Sequence, residues 1–170
     1  MKSDKSLVLI GMMGSGKSTI GFLLSKKIKL EFVDVDNYIE NEEGMKIHEI
    51  FERKGEKYFR QTELKKTLKI LDKKKTVISL GGGAFFNEKI RKEITSNHIS
   101  VWLNCSSELL LKRIRKNKKR PIANKLNDKE LIKLINKRNK IYEKAKFNIN
   151  CDNLTKSSIT QNILKLYETI

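Results

Sequence analysis

The eight residues GMMGSGKS, at positions 11 to 18, constrain the fold of this chain more than any other stretch of its sequence. They match the pattern G-x-x-x-x-G-K-[S/T], follow the apolar run LVLI and precede a predicted helix. A strand, a glycine loop and a helix in this order form a P-loop, in which consecutive backbone N–H groups surround phosphate oxygens. The chain is therefore predicted to be an α/β protein that binds a nucleotide through its phosphates.

The residue types within this loop indicate how the nucleotide is held. Lys17 is expected to reach the β- and γ-phosphates, and the hydroxyl of Ser18 is expected to ligate Mg²⁺. ATP and Mg²⁺ are thus the predicted ligands. The predicted nucleotide-binding positions in and just after the loop are Gly11, Gly14, Ser15, Gly16, Lys17, Ser18 and Thr19.

Short apolar runs alternate with helical patterns along the sequence. Five runs rich in β-branched residues predict strands at 6–10, 31–36, 76–80, 99–104 and 147–151. Helical patterns occur at 17–29, 55–73, 87–96, 107–115, 128–145 and 156–168. This alternation predicts a parallel sheet with helices on both faces, and ligands beyond the carboxyl ends of its strands.

Two carboxylates, Asp34 and Asp36, end the second predicted strand. Two positions apart on an extended strand, they would share one face, and a cation such as Mg²⁺ would relieve their repulsion. Asp34 is expected to support this metal, whereas Asp36 is expected to orient an acceptor hydroxyl and take its proton. The alternative is that Asp36 or Asn37 caps the helix that follows.

Positive charge is concentrated in one part of the chain. Lys and Arg number 37 against 20 Asp and Glu, which gives +17, and the 15 basic and 4 acidic residues between Cys105 and Asn150 contribute +11. Such a patch suits a basic P-loop protein that binds nucleic acid, which is one alternative function. We prefer a basic loop that closes over ATP and predict no nucleic-acid partner, because the patch lacks the interleaved aromatic residues on which single strands stack.

Length and cysteine usage limit the class of protein further. At 170 residues the chain is about one domain long. No apolar run approaches the roughly 20 residues of a membrane span, so no membrane partner is expected. Cys105 and Cys151 fit neither a metal-ligand spacing nor a disulfide framework, which predicts reduced thiols in a cytoplasmic protein.

Two more stretches carry candidate site residues. In SLGGGAFF, at 79 to 86, three glycines follow a predicted strand, where a glycine bulge or a tight turn is the simplest explanation. In FERKGEKYFRQTE, at 51 to 63, the helical spacing puts Glu56, Phe59, Arg60 and Glu63 on one face. An exposed face of ion pairs is the alternative reading of that helix.

Taken together, these features resemble the shikimate kinase family. The matching features are the P-loop, Asp34-x-Asp36, Phe51, Gly55-Glu56, Phe59-Arg60, Glu63, SLGGGAF, Arg120-Pro121 and Lys137-Arg138. The resemblance runs from about Leu7 to Asn150. It implies a nucleoside-monophosphate-kinase-like fold with five parallel strands in the order 2-3-1-4-5. It also implies one kinase domain over 1–170, with a substrate-binding segment at about 34–63 and a lid at about 112–126.

The resemblance further implies transfer of the γ-phosphoryl group of ATP to the 3-hydroxyl of shikimate, a step toward chorismate and the aromatic amino acids. By position in the family pattern, the residues that bind shikimate would be Asp36, Arg60, Glu63, Gly81, Gly82, Gly83 and Arg138. Arg120 would be a lid arginine that meets the ATP phosphates, and Arg113 would lie near the adenine. Lys17, Asp36 and Arg120 would act in catalysis, in a protein expected to be a monomer.

Elementary chemistry is consistent with these implied roles. The guanidinium groups of Arg60 and Arg138 can grip the carboxylate of the acceptor through paired hydrogen bonds. The three glycines would let a flat ring approach bare backbone N–H groups. The nearer alternative, a kinase of another small molecule such as gluconate, is disfavoured by the glycine run together with the Phe-Arg-x-x-Glu helix. The family commonly has a proline two residues after the arginine at position 138, but this sequence has Lys140 there, so the predicted helix at 128–145 lacks that constraint.

Overall fold

A five-stranded parallel sheet in the order β2-β3-β1-β4-β5 forms the centre of the computed structural model, which describes residues 4–116 and 126–169. The order is the one that was predicted. Every residue of β1 and β3 is buried, because these central strands are covered on both faces. The strands are β1 (Leu7–Ile10), β2 (Glu31–Asp34), β3 (Thr76–Ser79), β4 (Ile99–Asn104) and β5 (Phe147–Asn150).

Helices occupy most of the chain between and after the strands. The helix at Asp128–Tyr142, here called α6, begins with a capping box, in which the side chains of Asn127 and Glu130 each accept a hydrogen bond from the other's backbone N–H. Within the described residues the helices are α1 (Lys17–Ile28), α2 (Val35–Glu43), α3 (Ile47–Leu71), α4 (Glu88–Asn97), α5 (Ser107–Lys116), α6 (Asp128–Tyr142) and α7 (Lys156–Glu168). A 3₁₀ turn spans Ala84–Phe86.

Helix α2 is absent from the predicted helical patterns and appeared only in the alternative that Asp36 or Asn37 caps a helix, and it corrects the interpretation of the two aspartates. Strand β2 ends at Asp34, so Asp36 lies in the first turn of α2 and the two carboxylates do not share one face of a strand. Asp34 itself is the helix cap, since its Oδ1 accepts a hydrogen bond from the backbone N–H of Asn37 at 3.2 Å. A capping carboxylate satisfies an N–H group of the first turn, which favours helix over a longer strand.

Helix α3 starts eight residues before the predicted position and bends at Gly55. The dihedral angles of Gly55 are φ 82° and ψ 164°, a combination that side chains other than hydrogen rarely allow. The bend brings the ring of Phe51 to 4.7 Å from the ring of Phe59, measured between centroids. The two halves of α3 therefore pack against each other, although the helical conformation is interrupted at Gly55.

The strand register aligns the ends of the three strands that carry the candidate site. Leu9 in β1 and Asp34 in β2 both pair with Ser79 in β3. The P-loop, the Asp34 cap and the glycine run consequently leave the same edge of the sheet, which is the edge where parallel α/β sheets bind ligands. Among the residues described, none of the helices combines the length and apolar character that crossing a membrane would require.

Candidate active site

The P-loop adopts the backbone conformation for which its glycines are suited. Gly14 and Gly16 have φ values of 88° and 96°, in the left-handed region that glycine tolerates best. Helix α1 begins directly after Gly16, so its first N–H groups point into the loop. The ammonium group of Lys17 donates to the carbonyl oxygens of Gly11 and Met12, at 2.8 and 3.0 Å. This lysine is thus held against the loop that it is predicted to serve.

The two predicted metal residues, Ser18 and Asp34, are in direct contact. The hydroxyl of Ser18 donates to Oδ2 of Asp34 at 2.5 Å, although the residues belong to different elements. Hydroxyl and carboxylate oxygens are hard donors of the kind that Mg²⁺ prefers. No group of three or more His, Cys, Asp or Glu that could hold a metal occurs in the described part of the chain. One hydroxyl beside one carboxylate suits an ion that takes few protein ligands and keeps water or phosphate oxygens, as Mg²⁺ does.

Asp36, the residue expected to accept the proton of the acceptor hydroxyl, has a half-buried side chain. Loss of solvent and repulsion from Asp34 raise its pKa to about 6, while the positive charge of Lys17 opposes this shift. A carboxylate with this pKa is ionised at neutral pH but accepts a proton more readily than an ordinary aspartate. The environment of Asp36 is therefore suited to general-base chemistry.

Arg60 is held in place from several directions. Its Nη1 donates to Oε2 of Glu63 at 2.7 Å, and its Nε lies 3.4 Å from Oε1 of Glu56. The guanidinium carbon lies 5.1 Å from the ring centre of Phe59 and 5.8 Å from that of Phe51. On the predicted face of α3, the guanidinium of Arg60 is therefore held by two carboxylates and two aromatic rings.

Glu63 is not part of an exposed ion-paired face, which was the alternative interpretation of this helix. Its side chain is 4% exposed, whereas that of Glu56 is 67% exposed. Burial raises the pKa of Glu63, and the charges of Arg60 and Arg138 limit the increase because they favour the ionised carboxylate. The buried carboxylate needs the arginines, and in return it orients Arg60.

The three successive glycines after β3 lie where neighbouring side chains leave little room for a Cβ atom. Gly82 and Gly83 do lie in a tight turn, which the N–H of Ala84 closes by donating to the carbonyl oxygen of Gly81 at 3.1 Å. None of the three glycines has a left-handed φ, so the turn alone does not require glycine at these positions. A Cβ atom on each would approach a different candidate side chain instead. The nearest atoms would be Oδ1 of Asp36 at 2.5 Å for Gly81, Nη1 of Arg138 at 3.3 Å for Gly82 and Nη1 of Arg60 at 2.6 Å for Gly83. The glycine run thus makes room for three functional side chains at once.

An open cavity of about 430 Å³ lies beside the glycine run. Four of its lining residues are predicted site residues, and the other four come from the 3₁₀ turn, the residue after it and helix α6. The lining consists of Arg60, Glu63, Gly83, Phe86, Asn87, Leu134, Lys137 and Arg138. The lining therefore combines three basic side chains and one carboxylate with the apolar side chains of Phe86 and Leu134.

Comparisons with known proteins decide which family has this site. The family model for shikimate kinase matches residues 13–168. The chain belongs to the shikimate kinase family. A curated shikimate kinase from Sulfurihydrogenibium sp. (strain YO3AOP1) is 40% identical over 160 residues, which are 94% of this chain and 96% of that protein.

Solved structures agree with membership of the shikimate kinase family. A shikimate kinase from Acinetobacter baumannii, in complex with shikimate, has a TM-score of 0.91 and 31% identity, and the match covers 99% of this chain and 95% of that chain. Deoxyadenosine kinase from M. mycoides with bound dATP has a TM-score of 0.65 at 18% identity, over 95% of this chain and 98% of that one, and this likeness concerns the fold alone. The expected nucleoside-monophosphate-kinase-like fold is confirmed. These comparisons favour the shikimate kinase interpretation over the two alternatives from the sequence, a nucleic-acid-binding protein and a kinase of gluconate.

Two further arginines expected from the shikimate kinase pattern contact the P-loop. Nη1 of Arg138 lies 3.5 Å from Sδ of Met12, even though Lys140 stands where the family commonly has proline. Nη1 of Arg113 donates to the carbonyl oxygen of Gly14 at 3.2 Å. Arg120, the expected lid arginine, lies outside the described residues.

Residues that the sequence analysis did not single out also belong to this site of the shikimate kinase fold. Leu134 lies one helical turn before Arg138 and lines the cavity, and Tyr142 lies one turn after Arg138 and contacts Gly82. The i±4 spacing on α6 could have indicated both residues once Arg138 was chosen. Phe86 had no such signal, because the 3₁₀ turn that carries it has no periodic pattern.

Proposed function

We propose that this site transfers the γ-phosphoryl group of ATP to the 3-hydroxyl of shikimate, which yields shikimate 3-phosphate for aromatic amino-acid biosynthesis. Membership of the shikimate kinase family supports this reaction. The single observation that carries the assignment of the site is the packing of the glycine run against Asp36, Arg138 and Arg60. Three groups that could recognise a hydroxy acid thus converge beside the P-loop.

The acceptor carboxylate is bound by the two arginines of the cavity. Arg60 is already oriented by Glu63, so little side-chain freedom is lost when the acceptor binds. Arg138 approaches from α6 on the side of the P-loop. The bare backbone of the glycine run lets the ring of the acceptor lie close to both.

Asp36 orients the 3-hydroxyl of the acceptor and accepts its proton as the new bond to phosphorus forms. Phosphoryl transfer depends mainly on positioning and on stabilising negative charge, so the carboxylate needs only to be placed correctly and to be ionised. Lys17 leaves the carbonyl groups of Gly11 and Met12 and binds the β- and γ-phosphates. Both residues act at the same end of the nucleotide, since the charge of Lys17 already affects Asp36.

In the proposed complex the Ser18 hydroxyl would hold Mg²⁺ and the Asp34 carboxylate would support it. When bound, the ion neutralises charge on the β- and γ-phosphates. The contact between Ser18 and Asp34 supports this role because it brings a hydroxyl and a carboxylate to the first turn of α1. Asp34 also caps α2, so the group that supports the metal is fixed relative to Asp36.

The remaining nucleotide contacts come from the P-loop backbone and from α5. The proposed residues of the loop and its helix are Gly11, Gly14, Ser15, Gly16, Lys17, Ser18 and Thr19. Arg113 lies near the adenine. We place Arg120 on a lid at about 112–126 that closes over the ATP phosphates, with the substrate-binding segment at about 34–63. Both belong to a single domain over 1–170, which we propose is cytoplasmic, monomeric and without a nucleic-acid or membrane partner.

A coupled assay of ADP release tests the proposed function. Shikimate, gluconate and nucleoside monophosphates are offered in parallel with ATP and Mg²⁺, and ATP alone measures background hydrolysis. We expect turnover well above background with shikimate only. Equal or greater turnover with gluconate or with a nucleoside monophosphate would overturn the assignment of the acceptor.

A further inference from the structure

We propose that Tyr142 is a positioning residue of the acceptor site, whose hydroxyl holds Gly82 in the place that Arg138 requires for binding the acceptor carboxylate. The hydroxyl of Tyr142 donates to the carbonyl oxygen of Gly82 at 2.5 Å. This bond joins the last residue of α6 to the middle of the glycine run, 60 residues away in sequence. The inference rests on the proposed function, because it deepens the account of the same acceptor site.

The position of the Tyr142 hydroxyl is fixed by the packing of its ring. The residue is fully buried, and its ring centre lies 6.2 Å from that of Trp102 and 6.2 Å from that of Phe86. Burial raises the pKa of Tyr142 to about 12, so the phenol remains protonated and can donate at neutral pH. A protonated hydroxyl on a buried, packed ring is a well-positioned donor for the carbonyl group that it contacts.

Gly82 is held between this anchor and an arginine. Its carbonyl oxygen accepts from Tyr142, while Nη1 of Arg138 would lie 3.3 Å from a Cβ on the same residue. Arg138 and Tyr142 are four residues apart on α6, so one helix face supplies both contacts. Loss of the phenol would leave a carbonyl group without this donor, and the glycine run would shift relative to the guanidinium.

The variant Tyr142→Phe separates this role from simple packing, because it removes the hydroxyl and keeps the buried ring. We expect the KM for shikimate and the calorimetric Kd for shikimate to rise about tenfold, the scale of one buried hydrogen bond, with the KM for ATP unchanged within about twofold. The matched control is Tyr167→Phe on α7, outside the cavity, which should leave both KM values unchanged.

Several outcomes would overturn the inference. It fails if Tyr142→Phe has the KM and Kd for shikimate of the unaltered protein. It also fails if the KM values for shikimate and ATP rise together with a lower Tm, since that is the pattern of a general structural defect. Absence of turnover with shikimate in the unaltered protein would instead contradict the proposed function, and the calorimetric Kd of the two variants would still test the positioning role.

Discussion

Gly83 and Arg60 are packed so closely that a Cβ atom on the glycine would lie 2.6 Å from Nη1 of the arginine. The contact joins the turn after β3 to α3, and it is one of three such contacts along the glycine run. Because the nearest atom in each case belongs to the end of a side chain, an added methyl group would displace a functional group and leave the backbone fold intact. The glycine run can therefore be tested by activity separately from stability.

Gly83→Ala is predicted to weaken acceptor binding. The methyl group moves the Arg60 guanidinium, and we expect the KM for shikimate to rise about tenfold or more, since misplacement of about 1 Å is costly in a positioned site. The KM for ATP and the Tm should change little. Gly82→Ala is the graded comparison, with a smaller expected effect because its nearest atom lies at 3.3 Å. An equal loss of ATP affinity in Gly83→Ala would contradict the prediction.

Asp36→Asn is predicted to lower turnover by about a hundredfold or more, which is the usual scale of general-base loss, while ATP binding is retained. The pKa of about 6 also predicts that kcat/KM for shikimate in the unaltered protein falls as the pH drops through about 6, because the base becomes protonated. Steady-state kinetics between pH 5 and 8 measure both effects. Near-normal turnover of the variant would rule out the assigned role.

The same substitution is predicted to stabilise the fold at neutral pH. The folded pKa of Asp36 lies above its ordinary value of 3.8, so ionising this carboxyl costs stability as the pH rises from about 4 to 6, and the full cost remains above that range. Asp36→Asn removes a cost of about 1 to 3 kcal/mol. Thermal melts should show a higher Tm than the unaltered protein at pH 7.5 and a difference that shrinks toward pH 4. A Tm difference independent of pH would contradict this explanation.

Two substitutions are predicted to affect different substrates: Arg60→Ala the binding of shikimate, and Arg113→Ala the binding of ATP. Removing Arg60 should mainly raise the KM for shikimate, because the variant loses a charged partner of the carboxylate that is worth about tenfold or more. Removing Arg113, which contacts the carbonyl of Gly14, should mainly raise the KM for ATP. Each variant is the control for the other. If the apparent affinity for shikimate is unchanged in Arg60→Ala, the carboxylate is held elsewhere.

Local patterns were sufficient to predict those parts of the site that lie within one element. Arg60 and Glu63 are three residues apart on a helix, and their 2.7 Å contact follows from that spacing. The P-loop conformation follows equally from its glycines. The start of α2 did not follow, because VDVDNY satisfies a strand pattern and its aspartates also cap a helix, and Asp34 resolves that competition by bonding to Asn37.

The alternating strands and helices and the phosphate loop could thus be predicted, because they depend on residue types at short, regular spacings. The family resemblance could be predicted as well, because it depends on several such motifs in a fixed order along the chain. The direct contact between Ser18 and Asp34, and the packing of each glycine of the run against a side chain from another element, became visible only in the folded chain. Such contacts depend on how helices pack across the sheet. Packing differences of a few tenths of an ångström decide them, and such differences produce no regular pattern in the sequence.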